Sequence, residues 1–186
     1  MDSTPSPRAL PIPVLFLDFE ASSLADTSWP IEIGFAWLDE GWTVQSESHL
    51  IRPHDGWSME AWSLMSESIH RIPHGALLRE GKDAATVWHA ALARMARRAT
   101  VSDNPGFEAF WMRRLGEAAT GAIWAPPIGD MEALFAQTLQ AAGMDAACEY
   151  LAKHPTPHRA GQDAARLASA WRKGLLVDAG VVPLRP

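Results

Sequence analysis

At 186 residues the chain favours one domain with enough material for a substantial core. Its 16 Lys and Arg against 22 Asp and Glu give a net charge of −6, which argues against holding a polyanion through a basic surface. The single cysteine, Cys148, excludes an intramolecular disulfide and a Cys-rich zinc site and fits a reducing, cytoplasmic setting, and no segment approaches the ~20 apolar residues that span a bilayer.

Residues 1–12 read as a flexible N-terminal tail, polar and Pro-containing, without the basic-then-apolar order of a signal peptide; residues 13–186 read as one domain. Val14-Leu15-Phe16-Leu17 is a short continuous apolar run, the pattern of a buried strand. Pro30 precedes a second strand, Ile31 to Trp37. Asp39-Glu40-Gly41 supplies turn chemistry before a third, Thr43 to Ile51, which Pro53 stops. From Met59 the pattern changes: Trp62, Met65 and Ile69 fall at helical spacing until Pro73 breaks the segment. Asp83 suits an N-cap for a helix to Ala99, with Ala84, Val87, Trp88, Ala91, Leu92, Met95 and Ala99 on one apolar face. Thr100-Val101-Ser102 reads as a short strand. Helical patterns follow at about Phe107 to Ala119, Met131 to Ala142, Asp145 to Lys153 and Gln162 to Lys173. The order predicts an α/β fold: an antiparallel meander continued by parallel strands in a mixed sheet, flanked by helices.

Three places carry chemistry. In Leu17-Asp18-Phe19-Glu20 the strand alternation puts Asp18 and Glu20 on one face and Phe19 on the other. Two acids directly after a buried run repel each other and resist desolvation, a conflict that a hard cation with oxygen ligands resolves. The same pattern also fits a strand that has reached solvent. In His158-Arg159-Ala160-Gly161-Gln162-Asp163, Pro155 and Pro157 keep His158 in a loop and Asp163 opens a helix. A loop histidine beside metal-binding carboxylates suits a general base, since imidazole titrates near neutrality. Taken alone, the segment is better accounted for by a capping or surface histidine and a first-turn acid favoured by the helix dipole. In Ser102-Asp103-Asn104-Pro105-Gly106-Phe107-Glu108 a strand turns into a helix, with Asp103 at the strand end and Glu108 in the first helical turn.

Taken together, in this order, the three places resemble the DEDDh 3′→5′ exonucleases, the superfamily of ribonuclease T and of the proofreading subunit of bacterial replicative polymerase. The resemblance covers roughly residues 14–173. Leu24 stands where that family has a substrate-wedging Leu, and Pro30-Ile31-Glu32-Ile33-Gly34 is similar to its second strand. Ile69-His70-Arg71-Ile72 resembles its Ile-His-Gly-Ile segment, with Arg71 replacing Gly. The resemblance implies a ribonuclease H-like five-stranded sheet. It assigns Asp18, Glu20 and Asp163 to metal binding, with Asp18 bridging two ions, and His158 to the general base. The family's middle motif, His-Asn-Ala-x-Phe-Asp, is altered here. Aligned on Asn104 and Phe107, Glu108 takes the place of the acid and Asp103 that of the His, so either is a candidate for the middle carboxylate. Phe19, Ala21, Leu24 and His70 are the implied substrate contacts, with Trp57 a further stacking candidate.

The implied reaction is metal-dependent hydrolysis with two divalent cations, Mg²⁺ or Mn²⁺, releasing nucleoside 5′-monophosphates from the 3′ end of DNA or RNA, single-stranded or short. Bound cations reconcile a nucleic-acid substrate with the negative net charge. A homodimer is implied by relatives such as ribonuclease T, and no membrane association. The altered middle motif also fits a catalytically weak or inactive relative that binds nucleic acid or a protein partner. A more remote reading has the acids as separate solvated surface groups; it requires that Asp18, Glu20 and Asp163 do not converge. Arg94, Arg97, Arg98, Arg113 and Arg114 either track a phosphate backbone or serve helix dipoles. No P-loop, Gly-x-Gly-x-x-Gly, Gly-x-Ser-x-Gly or His-Glu-x-x-His pattern is present, which removes the corresponding nucleotide, serine-hydrolase and zinc-protease readings.

Overall fold

A computed structural model describes residues 13–181; the expected tail, residues 1–12, lies outside the described residues. The meander is β1 (Val14–Ala21), β2 (Pro30–Leu38) and β3 (Val44–Leu50). A 3₁₀ turn (Met59–Ala61), α1 (Leu64–His70), α2 (His74–Glu80) and α3 (Ala84–Met95) follow. Then come β4 (Ala99–Ser102), α4 (Pro105–Thr120), β5 (Gly129–Asp130), α5 (Met131–Thr138), α6 (Ala141–Lys153) and α7 (Ala160–Asp178). The sheet order is β3-β2-β1-β4-β5. β1 is antiparallel to β2 and parallel to β4, β2 is antiparallel to β3, and β4 is parallel to β5. This is the expected mixed five-stranded sheet, with helices on both faces.

Strand alternation builds two cores. Leu15, Leu17 and Phe19 join Ile33 and Phe35 against α3 and α4, through Val87, Trp88, Ala91, Trp111, Met112 and Leu115. Val14, Phe16, Ala36 and Val101 face the other way, onto Met131, Phe135, Ala147, Ala164, Leu167 and Trp171 of α5, α6 and α7. Phe16 and Trp171 meet as tilted rings 5.7 Å apart. A smaller cluster of Trp29, Ile31, Ala61, Ile72 and Leu77 closes one end.

α7 lies directly on β2 at Gly34. A Cβ there would sit 2.1 Å from the carbonyl carbon of Ala160, so only glycine admits the contact. Among the described residues, no helix is long and apolar enough to cross a membrane.

The structure departs from the sequence reading at several boundaries. The helix expected to run to Ala99 ends at Met95, because Ala99 is already in β4, paired with Val14. Trp62 lies outside α1, whose N-cap is Ser63; Met65 and Ile69 are on α1 and exposed. α2 begins straight after Pro73, which serves as its N-cap residue and so starts a helix as well as ending one. The pattern from Met131 to Ala142 is split at Leu139, since the α6 N-terminus is capped from another helix: Gln140 and Gly143 donate backbone N–H groups to Asp178 at 2.7 and 2.8 Å.

Candidate active site

β1 places Asp18 and Glu20 on the sheet face that α7 covers, because Leu15, Leu17 and Phe19 occupy the other. Both acids are inside the ladder, opposite Gly34 and Glu32 of β2. Asp163 arrives from the first turn of α7. One oxygen each from Asp18, Glu20 and Asp163 lie within 4.8 Å of one another. The carboxylates converge, and the reading of them as separate solvated groups does not hold.

The arrangement is electrostatically strained without a cation. Burial raises Asp18 well above the usual carboxylate range, and the charges of Glu108, Glu20, Asp163 and Asp103 raise it further. Glu20 is pushed up to about 8 by burial and by Asp163 and Glu32, with Arg159 acting the other way. Burial also raises Asp163, against the backbone N–H of Arg159 and the charges of His158 and Arg166. Asp163 Oδ2 accepts that N–H at 2.9 Å, while Oδ1 is buried with no hydrogen-bond partner among the described residues. Two unmet carboxylate oxygens, this one and Glu108 Oε2, lie in the acidic neighbourhood. An all-oxygen donor set with orphaned lone pairs fits a hard divalent cation, and Asp18, Glu20 and Asp163 are the residues able to hold one.

The two middle-motif candidates differ in placement. Glu108, in the first turn of α4, is 3% exposed, and after burial its charge is the largest cause of the shift at Asp18. Burial raises Glu108 too, followed by repulsion from Asp103 and Glu20 and opposed by the backbone N–H of Phe19. Asp103 is exposed, in the turn between β4 and α4.

A cleft of about 260 Å³ opens beside the carboxylates. Phe19, Glu20, Ala21, Leu24, His70 and His158 line it, so all four residues expected to touch substrate share one cavity with one of the acids and the histidine. Ser23, Ser66, Ile69 and Trp111 complete the lining and were not singled out from the sequence. His158 is exposed and left-handed, with φ 59°. His70 is buried; its Nδ1 accepts the Ile72 N–H at 3.0 Å, and its Nε2 has no partner among the described residues. Burial lowers its pKa, which leaves a neutral ring with the proton on Nε2. Leu24 projects at the rim, 72% exposed. Phe107 stacks on Trp111 at 5.3 Å, and Trp111 in turn meets Phe19. Trp57 stacks on Trp29 in the end cluster, a packing role. Arg94 forks onto Glu47 and lies over Trp37, a structural assignment for that cation.

Two charged residues next to the acids were missed. Glu32 of β2 is 1% exposed and is joined to Arg159 by paired hydrogen bonds of 2.9 and 3.0 Å. A signal existed: an acid between Ile31 and Ile33 of an apolar strand demands a cation, and the His158–Asp163 segment contains only one.

No protein-family model and no curated protein matches the sequence. Solved structures do match the fold. Escherichia coli exonuclease I in complex with a dA16 oligonucleotide superposes with a TM-score of 0.66 at 12% identity, over 90% of this chain and 41% of that one. The zinc-bound complex of the same enzyme with single-stranded DNA gives 0.60 at 14%, over 86% and 40%. Exonuclease I from Methylocaldum szegediense gives 0.62 at 11%, over 89% and 40%. The chain therefore spans about 40% of the length of these structures and shares the fold of the part it covers.

Proposed function

We propose that this chain is a divalent-cation-dependent 3′→5′ exonuclease of the DEDDh type, releasing nucleoside 5′-monophosphates from single-stranded or short DNA or RNA. The observation that carries the reading is the convergence of Asp18, Glu20 and Asp163 at the end of an exonuclease I-like sheet. Asp18, Glu20 and Asp163 hold the ions, and Glu108 supports them as the middle acid in preference to the exposed Asp103. Two Mg²⁺ or Mn²⁺ ions, when bound, polarise the scissile phosphate and stabilise the attacking and leaving oxygens.

The protein groups do the rest. His158, exposed at the cleft edge, takes the proton of a water molecule as its oxygen bonds to phosphorus. The bond from phosphorus to the 3′-oxygen of the penultimate nucleotide breaks, and that oxygen is protonated by solvent. Leu24 and the apolar lining formed by Phe19, Ala21 and Trp111 seat the terminal base, and His70 offers Nε2–H to a polar atom of the nucleotide. A small cleft needs to hold only the chain end, and local cations supply the positive field that the surface lacks. The cytoplasm remains the expected compartment, on the single unpaired cysteine, and a homodimer rests on the family resemblance alone.

The deciding experiment is digestion of labelled single-stranded DNA, single-stranded RNA and dinucleotides in Mn²⁺, wild type beside Asp18→Asn. Stepwise mononucleotide release by wild type and its loss in a folded Asp18→Asn protein are expected. Equal rates in the two proteins overturn the site, and no release from any substrate overturns the activity. A second reading, a weakened enzyme that mainly binds, is favoured by one observation: Glu108 stands where the family has the shorter acid. It predicts that Glu108→Asp raises the rate sharply; an unchanged rate removes it.

A further inference from the structure

We propose that Glu32 and Arg159 form a clamp that holds the His158 loop and the start of α7 over the carboxylates, making Arg159 a positioning residue for His158 and Asp163. The inference rests on the reading of His158 as the base and adds a residue pair to it.

The strand register creates the problem that the clamp solves. Glu20 of β1 stands directly opposite Glu32 of β2. Like charges facing across an antiparallel pair destabilise it, and a buried carboxylate without a counter-ion costs several kcal/mol. Arg159 meets Glu32 with both arms of its fork, Nε to Oε2 at 3.0 Å and Nη2 to Oε1 at 2.9 Å. Ser48 Oγ donates to Oε1 at 2.9 Å and the backbone N–H of Ala160 to Oε2 at 3.1 Å. Four donors therefore occupy the two oxygens of Glu32. Among the described residues, Asp163 Oδ1 and Glu108 Oε2 are left without any. The clamp thus separates a saturated structural acid from acids with free lone pairs.

The same residue ties down the loop side of the site. Arg159 follows His158 in the chain, and its own N–H donates to Asp163 Oδ2. Its side chain reaches β2, its amide holds Asp163, and its predecessor is the histidine. The left-handed backbone at His158 is a conformation that surrounding structure must enforce. Residues 154–158 are all exposed, so packing does not enforce it. Arg166 holds the far end of the loop through the His154 carbonyl, and on the side of His158 itself the enforcement comes from Arg159 and from the seating of Ala160 on Gly34.

The test compares Arg159→Met, Arg159→Lys and Glu32→Gln with wild type, using the full chain. In the metal-free protein, the ring resonances of His158 (assigned by their loss in His158→Gln) are followed by NMR. In Mn²⁺, kcat and KM are measured on a short oligonucleotide. Arg159→Met is expected to broaden or split the His158 signal while that of His70 stays put. It should also lower kcat by about 100-fold with KM changed less than about threefold, the scale of a displaced catalytic group. Arg159→Lys keeps the charge but not the fork, and should recover only part of kcat. Glu32→Gln keeps an acceptor for Arg159, so its loss of kcat should be smaller than that of Arg159→Met. An unchanged His158 signal in Arg159→Met, with kcat within threefold of wild type, overturns the clamp. So does loss of cooperative unfolding in all three variants, which makes the pair structural only. If wild type releases no nucleotide yet Arg159→Met disturbs His158, the clamp stands and the nuclease reading falls. If wild type releases nucleotide and His158 is unmoved in Arg159→Met, the nuclease reading stands and the clamp falls.

Discussion

Burial raises Asp18, Glu20, Asp163 and Glu108, and neighbouring carboxylates push Asp18, Glu20 and Glu108 up further, so ionising the site without a cation stores repulsion. Removing one charge should relieve it. Asp18→Asn is expected to raise the metal-free Tm by about 2–4 °C, the shift that roughly 1 kcal/mol produces in a chain of this size, while abolishing Mn²⁺ binding by calorimetry. A lower Tm would mean that Asp18 makes a stabilising contact. Leu24 gives the converse test. It is exposed and packs into no core cluster, so Leu24→Ala should leave stability within about 0.5 kcal/mol while KM for an oligonucleotide rises severalfold. Asp18 and Glu20 were legible because a period of two fixes their common face wherever the strand goes. Glu32 and Arg159 were not: they lie 127 residues apart in the chain and meet only because α7 packs on β2. Between Glu108 and Asp103 the sequence left a choice that burial separates, since only Glu108 is turned inward.

α7 does two jobs, covering one sheet face and delivering Asp163. Trp171 anchors the first, packed on Phe16 and donating Nε1–H to Thr138 Oγ1 at 2.9 Å. Trp171→Ala should cost about 3–5 kcal/mol in denaturant unfolding. Gly34→Ala puts a methyl into the Ala160 backbone and should cost about 1–3 kcal/mol; on the proposed function, activity should fall further than stability because the His158 loop shifts with the helix. An activity loss no larger than the unfolded fraction explains would refute that coupling. The long elements, the three meander strands and α3, α4, α6 and α7, were readable from hydrophobic period. The failures have local causes. α1 was expected from Trp62, Met65 and Ile69 at helical spacing, but Trp62 precedes its N-cap and Met65 and Ile69 meet solvent, so the period marked the helix without marking its start. The break between α5 and α6 is imposed by Asp178, which is remote in sequence. β5 is two residues long and has no period to read.

Across the molecule, the site couples stability to pH and to cations. Glu20 ionises near 8 in the folded protein and near 4.5 when unfolded, so between those values the folded state binds more protons. Stability of the metal-free protein should therefore fall as pH rises from about 5 to 8, a slope that Glu20→Gln flattens. Mn²⁺ should reverse the trend, with a Tm gain that grows with pH as the ligands ionise. A metal-free Tm that is level or rising over that interval contradicts the repulsion described above. The mixed sheet itself was legible as a class from the order of elements. Its convergence point came from the family resemblance alone, because it depends on a parallel crossover returning β4 beside β1 and on the last helix crossing back over both strands of the first hairpin.

Asp163 and the His158 loop enter the site only with α7, the final helix of the described chain. Chains emerge from the ribosome N-terminus first, so a nascent chain can assemble most of its sheet while still lacking a competent centre. On the function proposed above, hydrolysis therefore waits until synthesis of that helix is complete.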